Sequence, residues 1–361
     1  MRILQLIESL EFGGAEKVMI DLANELVSRH EVTICCVKRL GALAVNVDPR
    51  IHVYCLGKGE GNDVFLPFRL ADLLRRERID AMHVHNWGVF LEGALAAILA
   101  RVPARVHTVH GPYTEYEIGW RSRLKRGARH CLERTFAKYF TKIVTVSDSI
   151  QEYLRQDVGI AASQLMTIHN GINIGAAPTA RRDEGHIVCI AVGRLAKIKN
   201  HEMMIRAFHA VDCPHARLWL VGDGPERKHL ESLSCELGLG DRVKFVGFRH
   251  DVAELLARSN IFLMSSDYEG ISISVLEAMR AGLPIVGTRV GGMQETVKDG
   301  HNGMLVEARD IEAMANAIRI LIESPQECVR LGRAGRRFLE SEFSILTMVE
   351  RYEQIYKKET V

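Results

Sequence analysis

The chain has 361 residues, 47% hydrophobic and 25% charged, too long for one compact core and too apolar for disorder, so two domains are expected. Its 47 Lys+Arg against 45 Asp+Glu leave a formal net charge of +2, which gives no basis for a nucleic-acid partner and makes any basic surface local. The eight cysteines are scattered without a Cys-x-x-Cys pair, the usage of a reduced, cytoplasmic protein.

The opening run MRILQLIESLEFGG is too short for a secretory core and reads as a strand over 2–7. A helix over 15–29 carries Val18, Ile20, Leu22, Ala23 and Leu26, and a second strand follows at 32–37. Helix 66–78 leads into strand 81–85, helix 91–100 into strand 106–109, and a basic helical stretch 121–140 into strand 142–146. The longest apolar candidate, 89–100, is interrupted by Glu92, so no membrane span is expected. After the turn His169-Asn170-Gly171 the pattern breaks over 174–184, where Gly175, Pro178, Arg181, Arg182 and Asp183 mark a linker. Strands at 187–192, 217–221, 243–246, 261–264 and 284–288 then alternate with helices at 200–210, 226–237, 251–258 and 274–280. This is an α/β chain of two Rossmann-like, doubly wound parallel-sheet domains, 1–173 and 185–342. Such sheets bind ligands at the carboxyl ends of their strands, which places the expected site in a cleft between the two.

Two segments at strand ends carry the chemistry. In SSDYEGISISVLEAM a loop with Glu269 and Gly270 runs into a helix start, whose free N–H groups form an anion site. The competing reading is a capping box, Ser274-x-x-Glu277, in which Glu277 only reaches back to the cap. In VGRLAKIKN, Arg194 and Lys199 lie between Gly193 and Asn200 and can hold a diphosphate, the Arg through its planar fork; alone, such a pair is also the composition of a solvated loop. A dinucleotide oxidoreductase is disfavoured, because residues 8–14 read ESLEFGG and Gly222-Asp223-Gly224 has Arg227 where a third glycine would stand.

Glu269 and Glu277, separated by seven residues, with Gly193-Arg194-Leu195 and Lys199 upstream and Gly291-Gly292 and Glu295 downstream, resemble the donor site of the retaining family 4 glycosyltransferases of GT-B fold. The resemblance extends over nearly the whole chain through EFGGAEK, DAMHVHN, VHTVHG, VTVSDSI, HNGIN, VGDGPE and KFVGF. It implies that Arg194 and Lys199 hold the donor diphosphate with backbone N–H groups around Gly270, Ile271 and Ser272. It further implies that Glu269 and His110 meet the transferred sugar, Glu277 the ribose hydroxyls and Gly14 the phosphate. Catalysis is thereby assigned to His110, Glu269, Arg194 and Lys199. Ile271 and Ser272 depart from the family's frequent Phe or Leu and Gly or Pro. A helix over 343–358, with Phe343, Leu346, Val349, Tyr352 and Ile355 at helical spacing, is expected to cross back onto the first domain.

The implied activity is transfer of a sugar from a nucleotide-diphosphate donor, UDP-linked before GDP-linked, to a glycan or lipid-linked acceptor, with retention of configuration. No Asp-x-Asp occurs, so no metal or other cofactor is expected. Fixed cations and dipoles at the departing phosphate suit this chemistry, since negative charge builds there in the transition state. The alternatives are a nucleotide-sugar epimerase on the same fold and a non-catalytic nucleotide-sugar-binding protein. His83, His85, His107 and His110 could be drawn as a metal cluster, but imidazoles at period two on strand ends more often hydrogen-bond beside the core; His83 is the structural candidate. Between Trp120 and Phe140, Arg121, Arg123, Lys125 and Arg126 interleave with apolar residues. That stretch is either a helix with a solvated charged face or, with Gly13, an acceptor-side surface that meets anionic lipid at the inner face of the cytoplasmic membrane.

Overall fold

The structure, a computed structural model, describes every residue except Phe12, Asn62, 112–119, 177–184 and 359–361, and only the backbone of 120–123. It divides into one unit of Met1–Gly171 with Ile345–Val361 and a second of Ile172–Ser344.

The first unit is built on seven parallel strands: β1 Arg2–Ser9, β2 Glu31–Arg39, β3 His52–Cys55, β4 Ala81–His85, β5 Ala104–Val109, β6 Lys142–Thr145 and β7 Leu165–Thr167. Their order is β3-β2-β1-β4-β5-β6-β7. Ile3, Leu4, Leu6 and Ile7 of the central β1 are buried on both faces, which is why this strand reads as an unbroken apolar run. The order reverses between β1 and β4, so the carboxyl ends of these strands open the crevice where ligands of such sheets lie. Helix Ile345–Lys358 closes the unit against helix Gly14–Leu26 and β5. There Tyr352 and Tyr356 are buried, and Glu353 accepts from Arg29 at 3.1 Å and meets His30 at 2.7 Å.

The second unit has six parallel strands: β8 Ile187–Val192, β9 Ala216–Val221, β10 Val243–Gly247, β11 Ile261–Met264, β12 Ile285–Thr288 and β13 Gly303–Val306. Their order is β10-β9-β8-β11-β12-β13, with the reversal between β8 and β11. The loops that leave these two strands are the ones carrying Arg194 with Lys199 and Glu269 with Gly270.

The boundary of the second unit falls at Ile172, ahead of the expected 185. Ile172 N–H donates to Phe343 O at 3.0 Å, and Arg280 and Arg336 donate to the carbonyls of Asn173 and Gly175 at 3.3 and 2.7 Å. Most of the expected linker, residues 177–184, lies outside the described residues. Strands β3, β7 and β13 are additional to the sequence reading, and all three lie at sheet edges.

Candidate functional site

The two loops flanking the reversal point of the second sheet are joined by hydrogen bonds. Asn200 sits at φ 46°, caps helix His201–Ala210 by accepting from Met203 N–H at 3.3 Å, and donates through Nδ2 to Asp267 Oδ1 at 3.1 Å. Ser265 Oγ donates to Lys199 O at 2.9 Å, and Asp267 N–H donates to Ile198 O at 2.8 Å. Lys199 Nζ ion-pairs with Glu269 Oε2, which also accepts from Ser266 Oγ at 3.1 Å. Arg194 is exposed, with no side-chain partner among the described residues. Among the described residues the loops thus hold the unpaired Arg194 guanidinium, the exposed Lys197 and the Lys199–Glu269 ion pair, with hydrogen bonds joining one loop to the other.

Helix Ile273–Arg280 begins at the Ser272 cap, whose side chain makes no cap hydrogen bond and instead meets Ser274 Oγ at 3.1 Å. Ser274 therefore lies inside the first turn, and the Ser274-x-x-Glu277 capping box is not formed. Glu277 is buried, 8% exposed. Beneath the turn, Gly292 N–H donates to Glu269 O at 2.9 Å, and a Cβ on Gly292 would stand 2.6 Å from Gly270 C and O. Likewise Gly222, at φ 132°, would place a Cβ 2.0 Å from Gly193 O. Only glycine lets these backbones approach the loops that bear Arg194 and Glu269.

In the first unit, Gly13 and Gly14 open the helix after β1, and both are exposed. The Glu16 carboxylate folds back over this end, with Oε2 2.0 Å from where a Gly13 Cβ would be, and burial raises its carboxyl above the usual range. Glu16 is a neighbour of the expected phosphate contact that the sequence reading missed; its position in the first helical turn was the available signal.

His110 follows β5. His83, His85 and His107 are buried in β4 and β5. His83 bridges Tyr356 OH and Thr108 Oγ1, each at 2.7 Å, and His107 Nδ1 lies 3.1 Å from Val84 O. His85 Nε2 is 2.7 Å from Gln5 Oε1, and its Nδ1 is 3.0 Å from His110 Nε2. Both ring nitrogens of His83 and of His85 are therefore engaged by protein groups rather than turned to a common metal. Burial lowers His107 to about 3 and His110 to about 4, so both rings are neutral.

The basic stretch is helical over Trp120–Ala137, with Lys125 and Arg126 exposed; the side chains of Arg121 and Arg123 lie outside the described residues. The expected apolar face divides. Phe140 is buried and Phe136 half-buried, but Leu124 and Leu132 are 64% and 40% exposed. The inward stripe instead uses Arg129, His130 and Glu133, and burial raises Glu133 to about 7.

Tandem doubly wound sheets, the second with a cationic loop against a helix start at its reversal point, define an enzyme of the GT-B glycosyltransferase class. Residues 12–175 match the family described as Glycosyltransferase Family 4, and residues 177–338 the family described as Glycosyl transferases group 1. The chain belongs to the family 4 glycosyltransferases of GT-B fold.

It is 28% identical over 369 residues to the N-acetyl-alpha-D-glucosaminyl L-malate synthase of Bacillus anthracis, covering 95% of this chain and 93% of that one. It is 26% identical to the UDP-Gal:alpha-D-GlcNAc-diphosphoundecaprenol alpha-1,3-galactosyltransferase of Escherichia coli, with the same coverages of 95% and 93%. The crystal structure of Anabaena Alr3699/HepE in complex with UDP-glucose shares the fold at a TM-score of 0.86 and 24% identity, over 99% of this chain and 100% of that one.

Proposed function

We propose that this enzyme moves a hexose-type sugar from a UDP-linked donor to a glycan or lipid-linked acceptor, with retention of configuration and without a metal ion. The observation that carries the reading is the Lys199–Glu269 ion pair, held where two hydrogen-bonded loops meet beside a helix start without a side-chain cap. A diphosphate entering there competes for Lys199, adds Arg194, and accepts from the N–H groups around Gly270, Ile271 and Ser272. Glu269 is then released to hydrogen-bond the donor sugar.

As the glycosyl–phosphate bond breaks, negative charge grows on the departing phosphate. Fixed donors and cations stabilise that charge more than they stabilise the intact donor. The departing phosphate accepts the proton from the incoming hydroxyl on the same face, so no protein nucleophile is needed. A UDP-glucose complex of a protein with this fold and a UDP-galactose-dependent relative support the UDP donor, and that relative's diphosphoundecaprenol substrate supports a lipid-linked acceptor. Exposed Leu124 and Leu132 beside Lys125 and Arg126 support contact with an anionic membrane.

The test is a thermal-shift screen of nucleotide-sugars, then transfer assays with the anomeric configuration of the product read by NMR. Arg194→Ala and Lys199→Ala are expected to lower turnover by about two orders of magnitude or more. Near-normal turnover in either variant, or an inverted product, overturns the reading.

A further inference from the structure

Gln5, His85 and His110 form a continuous line of side chains across β1, β4 and the residue after β5. Gln5 and His85 are buried, with Oε1 of the amide 2.7 Å from His85 Nε2. His85 Nδ1 lies 3.0 Å from His110 Nε2, the two rings stacked at 5.3 Å. At the far end, His110 Nδ1 is buried and has no hydrogen-bond partner among the described residues.

The directions of these hydrogen bonds follow from the orientation of the Gln5 amide, which turns Oε1 to His85 and leaves its buried Nε2 without a hydrogen-bond partner among the described residues. An amide oxygen only accepts, so the proton of the first bond is on His85 Nε2. Burial keeps both imidazoles neutral, and a neutral ring carries one proton. His85 Nδ1 is then an acceptor, the second proton belongs to His110 Nε2, and His110 Nδ1 keeps its lone pair. A buried acceptor left unsatisfied is unfavourable, and with no donor to it among the described residues this nitrogen is open to a donor from a ligand.

We propose that Gln5 and His85 are positioning residues that fix His110 as its Nε2–H tautomer, so that His110 Nδ1 accepts a hydrogen bond from a hydroxyl of the transferred sugar. The inference rests on the proposed sugar transfer and adds to it two residues and a direction of proton donation. Reversing the Gln5 amide would reverse every proton along the line and give His110 an Nδ1–H donor, which is the outcome to exclude.

Long-range 1H–15N spectra of protein labelled on its histidines read the tautomer directly, with His110 identified by the signal lost in His110→Gln. The expected wild-type result is a protonated Nε2 and a bare Nδ1. Gln5→Met keeps the side-chain volume but removes the acceptor oxygen; His85→Phe removes the acceptor for His110. Each should populate the opposite tautomer of His110 and lower kcat about tenfold, while the Kd for UDP, which lacks the sugar, changes less than about twofold. An Nδ1–H signal in the wild type, or an unchanged tautomer and kcat in Gln5→Met, overturns the relay. Failure of the wild type to transfer sugar from any UDP-sugar, with the Nε2–H tautomer intact, overturns the sugar as the ligand and leaves the tautomer assignment standing.

Discussion

Replacing Gly292 by Ala tests whether the turn at Gly270 must be held where it is for activity. Gly292 has ordinary helical torsions, φ −67° and ψ −7°, so alanine introduces no backbone strain and the effect is steric. The new Cβ would lie 2.6 Å from Gly270 C and O and 3.0 Å from Ile271 N, whereas ordinary contact begins at 3.4 Å. The turn therefore has to retreat by about 0.8 Å, carrying Glu269 and the neighbouring N–H groups with it. A misplacement of about 1 Å at reacting groups costs on the order of 100-fold, close to 3 kcal/mol of transition-state stabilisation. Overpacking in a tight site costs folding stability of about 1–3 kcal/mol as well, so Tm and activity are to be measured on the same preparation. The expected result is a folded variant with kcat/KM for the UDP-sugar about two orders of magnitude lower. A folded variant within about threefold of wild type would refute the claim that the position of this turn sets the rate.

Three further outcomes are expected. Activity should survive excess EDTA under the proposed mechanism, which assigns the charge of the departing phosphate to Arg194, Lys199 and backbone N–H groups; an absolute Mg²⁺ requirement would overturn that assignment. Burial, reinforced by Lys199, lowers His201 from 6.5 to about 4, so the unfolded chain binds the extra proton first and stability present above pH 6.5 is lost as pH falls toward 4. His201→Gln should reduce the loss of unfolding free energy between pH 7.5 and 5 by about 2 kcal/mol, and an identical pH slope in denaturant titrations would count against this origin. Lys125→Glu with Arg126→Glu should reduce sedimentation with anionic vesicles, each charge contributing about 1 kcal/mol, and unchanged sedimentation would leave the helix as a solvated face.

Most of the strands that were legible in the sequence are those covered on both sides. β1, β2, β4, β8, β9, β11 and β12 write their burial as apolar, β-branched runs, whereas β3, β7 and β13 are edge strands of three or four residues; β10 is also an edge strand and was legible from its Val243, Phe245 and Val246. His52–Cys55 has no fully buried residue, and Leu165 is the buried member of β7, so neither carries a run to detect. In the donor loops, Arg194, Lys199 and Glu269 stand out because charges just after a strand are chemically expressive. Their fastening does not: Asn200 and Asp267 are 67 residues apart, and only the tertiary fold brings them together. The sequence reading began the helix at Asn200 itself, whereas in the structure Asn200 is the cap of helix His201–Ala210 and also holds Asp267. The misplaced cap at Ser274 has a simple origin, since Ser272 is an equally good cap residue and the turn over Gly270 and Ile271 brings the chain into helix there.

The histidines mark the limit of pattern reading. His83 and His85 are two residues apart on β4 and face the same side, with ring centroids 4.1 Å apart and both buried, so burial does not distinguish them. Their partners differ in kind. His83 lies between two hydroxyls, each able to donate or accept, so either of its tautomers is satisfied and the site tolerates both. His85 lies between an amide oxygen and a second imidazole, and an acceptor-only partner imposes a direction that passes to His110. A buried imidazole among adaptable partners stabilises a core; one beside a fixed acceptor transmits a proton orientation toward a site. That difference is set by Gln5, which β1 brings beside β4 from 80 residues upstream of His85, and it separates His83, held within the core, from His85, whose other ring nitrogen meets His110.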